Sequence, residues 1–160
     1  MQERVLDPAA DLRAIEQLKY RYVRLLDTKQ WDEFADCFTD DATGDYSGLA
    51  FEDPGTLVDY MRTNLVDGII TLHQVHHPEI EIDPDDPDRA WGRWYLQDKV
   101  IVAVADFALE GAAFYEDDYR RTETGWRIAR TAYTRTFELT WSLSDQPSLK
   151  VGGPGSHTHA

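Results

Sequence analysis

The chain has 160 residues, a length at which one domain around a single core is expected. Its formal net charge of -14 opposes contact with phosphate backbones and anionic lipids, so we expect neither a nucleic acid nor a membrane as partner. No apolar run reaches the about 20 residues of a membrane span, and the N-terminal stretch is charged where a signal peptide is apolar, which favours a cytoplasmic protein.

The first predicted element is an amphipathic helix that begins after Asp7 and ends near Asp27. Asp7 is a typical N-cap residue, and Pro8 suits the first helical position. Apolar residues then recur three or four positions apart, namely Leu12, Ile15, Leu18, Tyr22, Leu25 and Leu26. This spacing gathers them on one face, which should pack on the rest of the domain.

Two shorter helices are predicted next, one over Trp31 to Phe38 and one after Asp53 and Pro54. The residues between these helices, 42–51, are predicted to form a short strand or an irregular hairpin. The single cysteine, Cys37, excludes an intramolecular disulfide and lies among apolar residues, which predicts a buried, reduced thiol.

From Ile69 onward, β-branched and aromatic residues alternate with polar ones between turn signals, which is typical of strands. Four strands are predicted: Thr71 to Asp83, Ala90 to Val104, Ala112 to Thr122 and Trp126 to Trp141. Their connections are too short for crossover helices, so the strands should pair as antiparallel neighbours.

Helices followed by a long antiparallel sheet indicate an α+β fold. Strands of this length must curl, and about three N-terminal helices packed over a strongly curved sheet would enclose a conical pocket. We assign residues 1–144 to this domain and residues 145–160, rich in Gly and Pro, to a flexible tail. His157 and His159 in the tail form an H-x-H pair, for which a mobile segment is a better interpretation than a metal site.

The strand predicted at Thr71 carries three histidines, His73, His76 and His77. Strand alternation puts His73 and His77 on one face and His76 on the other, so the three cannot meet at one metal without a bulge. The apolar positions beyond Pro78 have the opposite parity to His73, which predicts a register shift near the histidines. Two histidines and a carboxylate could bind zinc or iron, but we expect no metal here.

Several motifs resemble those of the SnoaL-like branch of the NTF2-like superfamily, an α+β cone shared by scytalone dehydratase, ketosteroid isomerase and polyketide cyclases. The similarity covers roughly Leu12 to Phe137. The most specific motifs of this similarity are H-x-x-H-x-P-E-I from His73, W-x-L-Q-D from Trp94 and Y-x-R-x-F-E from Tyr133. In combination they are similar to the bile-acid 7α-dehydratase family.

That resemblance implies a set of catalytic residues, matched by position: Tyr22, Asp27, His73, Asp98 and Arg135. It implies that His73 is the base and acid, that Asp98 orients it, and that the other three position a substrate oxygen. Three aromatic residues and the histidine before Pro78 are the candidate substrate contacts: Trp94, Tyr115, Tyr133 and His77.

The residues themselves leave three alternatives open. Tyr22 shares the apolar helix face, so it is either a core residue or a phenol that donates to a ligand. Asp98 follows the apolar face of its strand, so it is either a buried acid that needs a partner, with His73 the expected one, or a surface residue at an irregularity of the strand. Arg130 and Arg135 share one strand, and we prefer Arg135 for its motif context.

The resemblance implies a cofactor-independent lyase, a dehydratase that eliminates water from a hydroxylated apolar polycyclic, steroid-like or polyketide-like ketone. Histidine suits the two proton transfers because its ordinary pKa lies near neutrality. The sequence has no G-x-G-x-x-G or Walker motif, so we expect no cofactor. Relatives of this architecture are often trimers or dimers, which implies a homo-oligomer.

Two other functions remain compatible with the same pocket. An isomerase or cyclase would move a proton between carbons of a ketone without loss of water. A noncatalytic binding domain would hold a small molecule unchanged, because a fold alone does not fix its function.

Overall fold

The computed structural model describes residues 7–153, in which three helices lie against one six-stranded sheet. The helices are α1 (Pro8–Asp27), α2 (Trp31–Ala35) and α3 (Pro54–Asn64). The strands are β1 (Phe38–Tyr46), β2 (Leu49–Phe51), β3 (Ile69–Ile82), β4 (Arg89–Val102), β5 (Phe107–Thr122) and β6 (Gly125–Trp141). Short 3-10 helices follow β4 and β6. The predicted α+β architecture is confirmed.

Helix α1 begins and ends where its sequence signals predict. The Asp7 carboxylate accepts a hydrogen bond from the Ala10 backbone N–H, and Pro8 occupies the first turn. At the other end Thr28 caps the helix through its backbone N–H and side chain, both bonded to the Arg24 carbonyl. The apolar face is buried, and α1 packs against β3 and β6.

Helix α2 is shorter than predicted, because it ends at Ala35 and Phe38 already belongs to β1. The backbone explains the change, since the Ile128 N–H donates to the Cys37 carbonyl and draws this segment into the sheet. Cys37 is fully buried, as expected. Residues 42–51 form the second part of β1, a turn and β2, which confirms the hairpin.

The sheet has the strand order β2-β1-β6-β5-β4-β3. The four predicted strands pair antiparallel with their sequence neighbours, as expected. The expectation of a wholly antiparallel sheet is wrong in one place, since β1 runs parallel to β6. This pairing joins residues 87 to 90 positions apart, and turn signals report only local hairpins. The sheet is mixed and does not close.

One side of the sheet faces the helices and carries the core. Buried residues alternate with exposed ones along β4, where Trp94, Leu96 and Asp98 face the helices. The outer side carries several exposed apolar residues: Leu72, Tyr95, Phe137 and Leu139. The homo-oligomer stays a prediction. No helix among residues 7–153 is long and apolar enough to cross a membrane.

A charged pair lies at the centre of the core. Lys19 of α1 and Asp117 of β5 are both fully buried, with Nζ and Oδ2 2.7 Å apart but poorly aligned for a hydrogen bond. The ammonium also lies 3.4 Å from the centre of the Tyr115 ring, and Tyr119 donates to Asp117. Burial lowers the pKa of Lys19 although Asp117 opposes the shift.

We expect Lys19→Met to lower the free energy of unfolding by about 3–5 kcal/mol, because it leaves the Asp117 charge buried without its partner. Lys19→Met combined with Asp117→Leu should cost less than the single change, since it removes both charges. Urea unfolding of the two variants and the parent measures the difference. A double variant less stable than Lys19→Met would contradict the pairing.

Candidate active site

The candidate site lies where β3 and β4 pair, and a bulge in β3 sets its orientation. Up to Val75, the side chains of β3 point alternately to the two faces of the sheet, and the pairing of β3 with β4 shifts between His76 and Glu79. His77 adopts a left-handed conformation, with φ of 47°. Beyond the shift, Ile80 and Ile82 face the core. The register shift predicted from the parity of the sequence is confirmed.

The imidazole of His73 is held by Asp27, the last residue of α1. Nδ1 of His73 lies 2.6 Å from Oδ1 of Asp27, and the His73 backbone N–H donates to Oδ2 at 2.8 Å. Both side chains are largely buried, with 12% and 19% of their surface exposed. The ring is thus fixed by its own backbone and by a carboxylate from another element.

A helix C-terminus disfavours a carboxylate, because the helix dipole is negative there. Asp27 offsets this by accepting a third hydrogen bond, from the Thr71 hydroxyl at 2.8 Å. Its neighbours on β3 therefore supply all three donors. The helix stays regular up to Asp27, so Asp27 faces β3 while Tyr22, five positions earlier, faces the core.

Asp98 does not hold His73, and our expectation of that contact is wrong. The two residues are direct cross-strand partners, but both carboxylate oxygens of Asp98 accept from the two terminal nitrogens of Arg135. The second of these bonds measures 2.7 Å. Because Asp98 is 4% exposed, the guanidinium is its necessary partner, and these bonds raise the pKa of Arg135.

The choice between the two arginines of β6 follows from the same pairing. Arg135 reaches Asp98 on the helix-facing side, whereas Arg130 is exposed and lies near Asp118. A shift in the pairing of β5 and β6 between Ala112 and Ala113 precedes Arg135. The preference for Arg135 agrees with this placement.

Gly111 makes room for the Asp98–Arg135 pair. It is the cross-strand partner of Asp98 on β5. A Cβ atom at this position would lie 2.6 Å from Nη1 of Arg135, 3.0 Å from the Phe137 carbonyl oxygen and 3.3 Å from Oδ1 of Asp98. Any side chain here would collide with the guanidinium and with backbone, so glycine is required by space.

Tyrosines of the core form a wall that reaches the site at Arg135. The hydroxyls of Tyr22 and Tyr46 are 2.6 Å apart, and the Tyr22 ring meets Tyr115 edge-on. Tyr133 stacks on Tyr46 and lies beneath the Arg135 guanidinium. Burial raises the pKa of Tyr22, Tyr46 and Tyr115, so these phenols stay protonated at neutral pH.

The remaining candidate substrate contacts differ in burial and in their position relative to His73. Tyr133 is half-buried next to Arg135, but Trp94 is fully buried and donates to the Tyr119 hydroxyl. His77 is exposed and lies beside the Tyr95 ring on the outer side, apart from His73. Within the described part of the chain, no group of three His, Cys, Asp or Glu could hold a metal ion. His157 and His159 lie outside it.

Sequence reasoning missed three contributors to the site, namely Thr71, Tyr46 and Gly111. Thr71 stands two positions before His73, so strand alternation could have identified it. Tyr46 and Gly111 come from β1 and β5, and only the three-dimensional pairing brings them near Tyr22 and Asp98.

A groove of about 900 Å³ lies elsewhere, between the start of α3 and the turn that joins β5 to β6. Its walls are rich in exposed charged residues, and Arg120 there is paired with Asp41. It contains no histidine and no fully buried acid. The His73 region is therefore the better candidate for proton transfer.

The model of the SnoaL-like domain family matches residues 7–132 of the chain. Three solved structures are similar. The Kfla4162 protein from Kribbella flavida has a TM-score of 0.74 and 20% identity, over 83% of this chain and 95% of that one. Hexachlorocyclohexane dehydrochlorinase LinA-type3 from Novosphingobium barchaimii has a TM-score of 0.73 and 17% identity, over 84% of this chain and 92% of that one.

The third structure, from Novosphingobium aromaticivorans, is provisionally named a scytalone dehydratase. Its TM-score is 0.69 and its identity 17%, over 82% of this chain and 88% of that one. At these identities the structural similarities show a shared fold, and the chemistry has to be argued from the site.

The tyrosine wall predicts that stability falls in alkaline solution. The pKa of Tyr22 is raised in the folded chain, so stability is fully present below the ordinary tyrosine pKa of about 10 and falls as pH rises above it. Urea unfolding at successive pH values should show a shallower decline in Tyr22→Phe. Tyrosinate absorbance from all eight tyrosines before unfolding would contradict this.

Gly111→Ala should lower the free energy of unfolding by about 1–3 kcal/mol, because the added methyl group meets Arg135 and the Phe137 carbonyl. In an Arg135→Ala background the same change should cost less, since one of the clashing groups is gone. Chemical unfolding of the four chains forms a double-mutant cycle. Equal costs in both backgrounds would mean that Arg135 is not what the methyl group meets.

Proposed function

The chain belongs to the SnoaL-like domain family, and on this premise we propose that it is a cofactor-independent lyase. Its reaction is the elimination of water from a hydroxylated, apolar, polycyclic ketone of steroid-like or polyketide-like character. The observation that carries the proposal is the hydrogen bond between Nδ1 of His73 and Asp27, which prepares the imidazole as a base.

The hydrogen bonds of Asp27 select the tautomer of His73. Asp27 accepts from the Thr71 hydroxyl and from the His73 backbone, so its carboxylate acts as an acceptor throughout. Nδ1 of His73 therefore donates to it, which leaves the lone pair on Nε2. A positioned lone pair on Nε2 is what a general base needs, and Asp27 stabilises the imidazolium that follows.

The elimination requires a base for the α-proton, a donor for the enolate oxygen and a proton for the departing hydroxyl group. Nε2 of His73 takes a proton from the carbon next to the carbonyl, and the electron pair of that bond moves into an enolate. Loss of the β-hydroxyl then forms the carbon–carbon double bond. The departing oxygen leaves as water when it receives the proton from His73, which restores the free base.

The enolate oxygen needs a neutral donor, and the tyrosine wall contains one. Tyr22 and Tyr46 share one hydrogen bond, in which one hydroxyl donates and the other accepts. The proton of the accepting phenol remains for another oxygen, and burial keeps both phenols protonated. We assign this donor role to Tyr22 or its partner Tyr46.

The names of two structural neighbours support elimination as the reaction class. A dehydrochlorinase removes hydrogen and chloride from adjacent carbons, and a dehydratase removes water. A base placed next to a C–H bond serves either kind of elimination. The His73–Asp27 pair supplies that base in this chain, whereas the leaving group is set by the substrate.

We expect the protein to exchange the α-hydrogens of 1-tetralone for deuterium in heavy water, because this ketone enolises but has no hydroxyl to lose. His73→Ala should slow the exchange by about 10²–10⁴-fold, the usual contribution of a general base. Asp27→Asn should slow it as well, since the amide can donate to Nδ1 and reverse the tautomer. NMR spectroscopy measures the exchange.

The matched control is His76→Ala, which removes a histidine of the same strand outside the Asp27 pair. Its exchange rate should equal that of the parent. With 3-hydroxy-1-tetralone, a product that has lost one water identifies a lyase, and a new product of unchanged mass identifies an isomerase. Equal exchange in the parent and His73→Ala would refute the proposed base, and no exchange in the parent would favour a binding domain.

A further inference from the structure

Every hydrogen-bonding nitrogen of Arg135 already has an acidic partner. Its two terminal nitrogens are bonded to the two oxygens of Asp98, and Nε lies 3.5 Å from Oε2 of Glu138. A free guanidinium recognises a ligand carboxylate through two parallel N–H donors. Here the end-on pair at the two terminal nitrogens faces Asp98, and the side-on pair that includes Nε faces Glu138.

The charges around the site also disfavour an anionic ligand. Asp27, Asp98 and Glu138 contribute three carboxylates, against the single guanidinium of Arg135 and the imidazole of His73. The chain as a whole carries a net charge of -14. An anionic ligand would therefore approach a site without surplus positive charge.

Displacement of Asp98 by a ligand carboxylate is also disfavoured by burial. Asp98 is 4% exposed, and Arg135 is the partner that compensates its charge. A ligand that took both terminal nitrogens would leave Asp98 buried without a counter-ion, which is strongly unfavourable. The guanidinium cannot move towards β5, because it already lies so close to Gly111 that an added Cβ would be 2.6 Å from Nη1.

We propose that Asp98 is a specificity-determining residue that restricts the site to uncharged ligands, by occupying the two nitrogens of Arg135 that would bind a carboxylate. This assignment rests on the proposed location of the ligand at His73. It makes the substrate class a neutral ketone or alcohol and excludes the corresponding carboxylic acids. The role of Arg135 is then to hold Asp98 and the Tyr133 ring in place.

The test compares two flat probes of similar shape near neutral pH, uncharged 2-naphthol and the anion 2-naphthoate, by fluorescence titration. The parent should bind 2-naphthol at least about tenfold more tightly than 2-naphthoate. Asp98→Asn removes the charge but keeps the shape, so it should tighten 2-naphthoate by about tenfold and change 2-naphthol by less than about threefold.

The control is Asp98→Asn combined with Arg135→Gln, in which the gain for 2-naphthoate should disappear because the freed guanidinium is gone. Glu138→Gln is a milder second variant, since Glu138 is half-exposed, and should give a smaller gain of about twofold to threefold. The proposal is overturned if the parent binds 2-naphthoate as tightly as 2-naphthol, or if neither single variant improves 2-naphthoate binding.

The same titration in His73→Ala separates this proposal from the proposed function. His73 is no partner of Arg135, so the probe preference should persist while hydrogen exchange is lost. A preserved preference together with catalysis that is independent of His73 would refute only the base. Exchange that depends on His73 in a chain that binds both probes equally would refute only the role of Asp98.

Discussion

Carboxylates that are largely removed from water must be given donors, and this requirement organises the structure around the site. Asp27 obtains its donors from β3 and Asp98 obtains its donors from β6, so each acid joins elements that are distant in sequence. His73 and Asp98 are cross-strand neighbours, yet each is bonded to an acid or base from outside the β3–β4 pair. The site is therefore a meeting point of α1, β3, β4 and β6.

In the core, the fully buried carboxylate of Asp117 is instead compensated by the fully buried ammonium of Lys19. Their pair is enclosed by aromatic rings, and the ammonium lies over the faces of Tyr115 and Tyr22. Tyr22 and Tyr115 thus contact a cation at their faces, and Tyr115 packs edge-on against Tyr133, which lies beneath Arg135 of the candidate site. Because these tyrosines belong both to the packed core and to the surroundings of the site, a substitution in the core around Lys19 should also alter the geometry of the site.

Local patterns in the sequence predicted the features that depend on local physics. The cap at Asp7, the hairpins and the register shift near Pro78 follow from spacing and turn chemistry, and the structure confirms them. The parallel pairing of β1 with β6 and the end of α2 depend on contacts distant in the chain. The likeness to a family pointed to His73 and Asp98, but the pairing we inferred from their neighbouring strands is wrong, because the carboxylate nearest in the sheet was not the one aligned with the ring.

The bulge at His77 also affects how the sheet ends. β3 is an edge strand, whose unpaired backbone groups could template the addition of a strand from another chain. His77 breaks the regular repeat in mid-strand, and Pro78 has no N–H to offer. The opposite edge, β2, has only three residues. The irregularity that reorients the strand beyond His73 thus also protects the fold from growing into aggregates by edge-to-edge pairing.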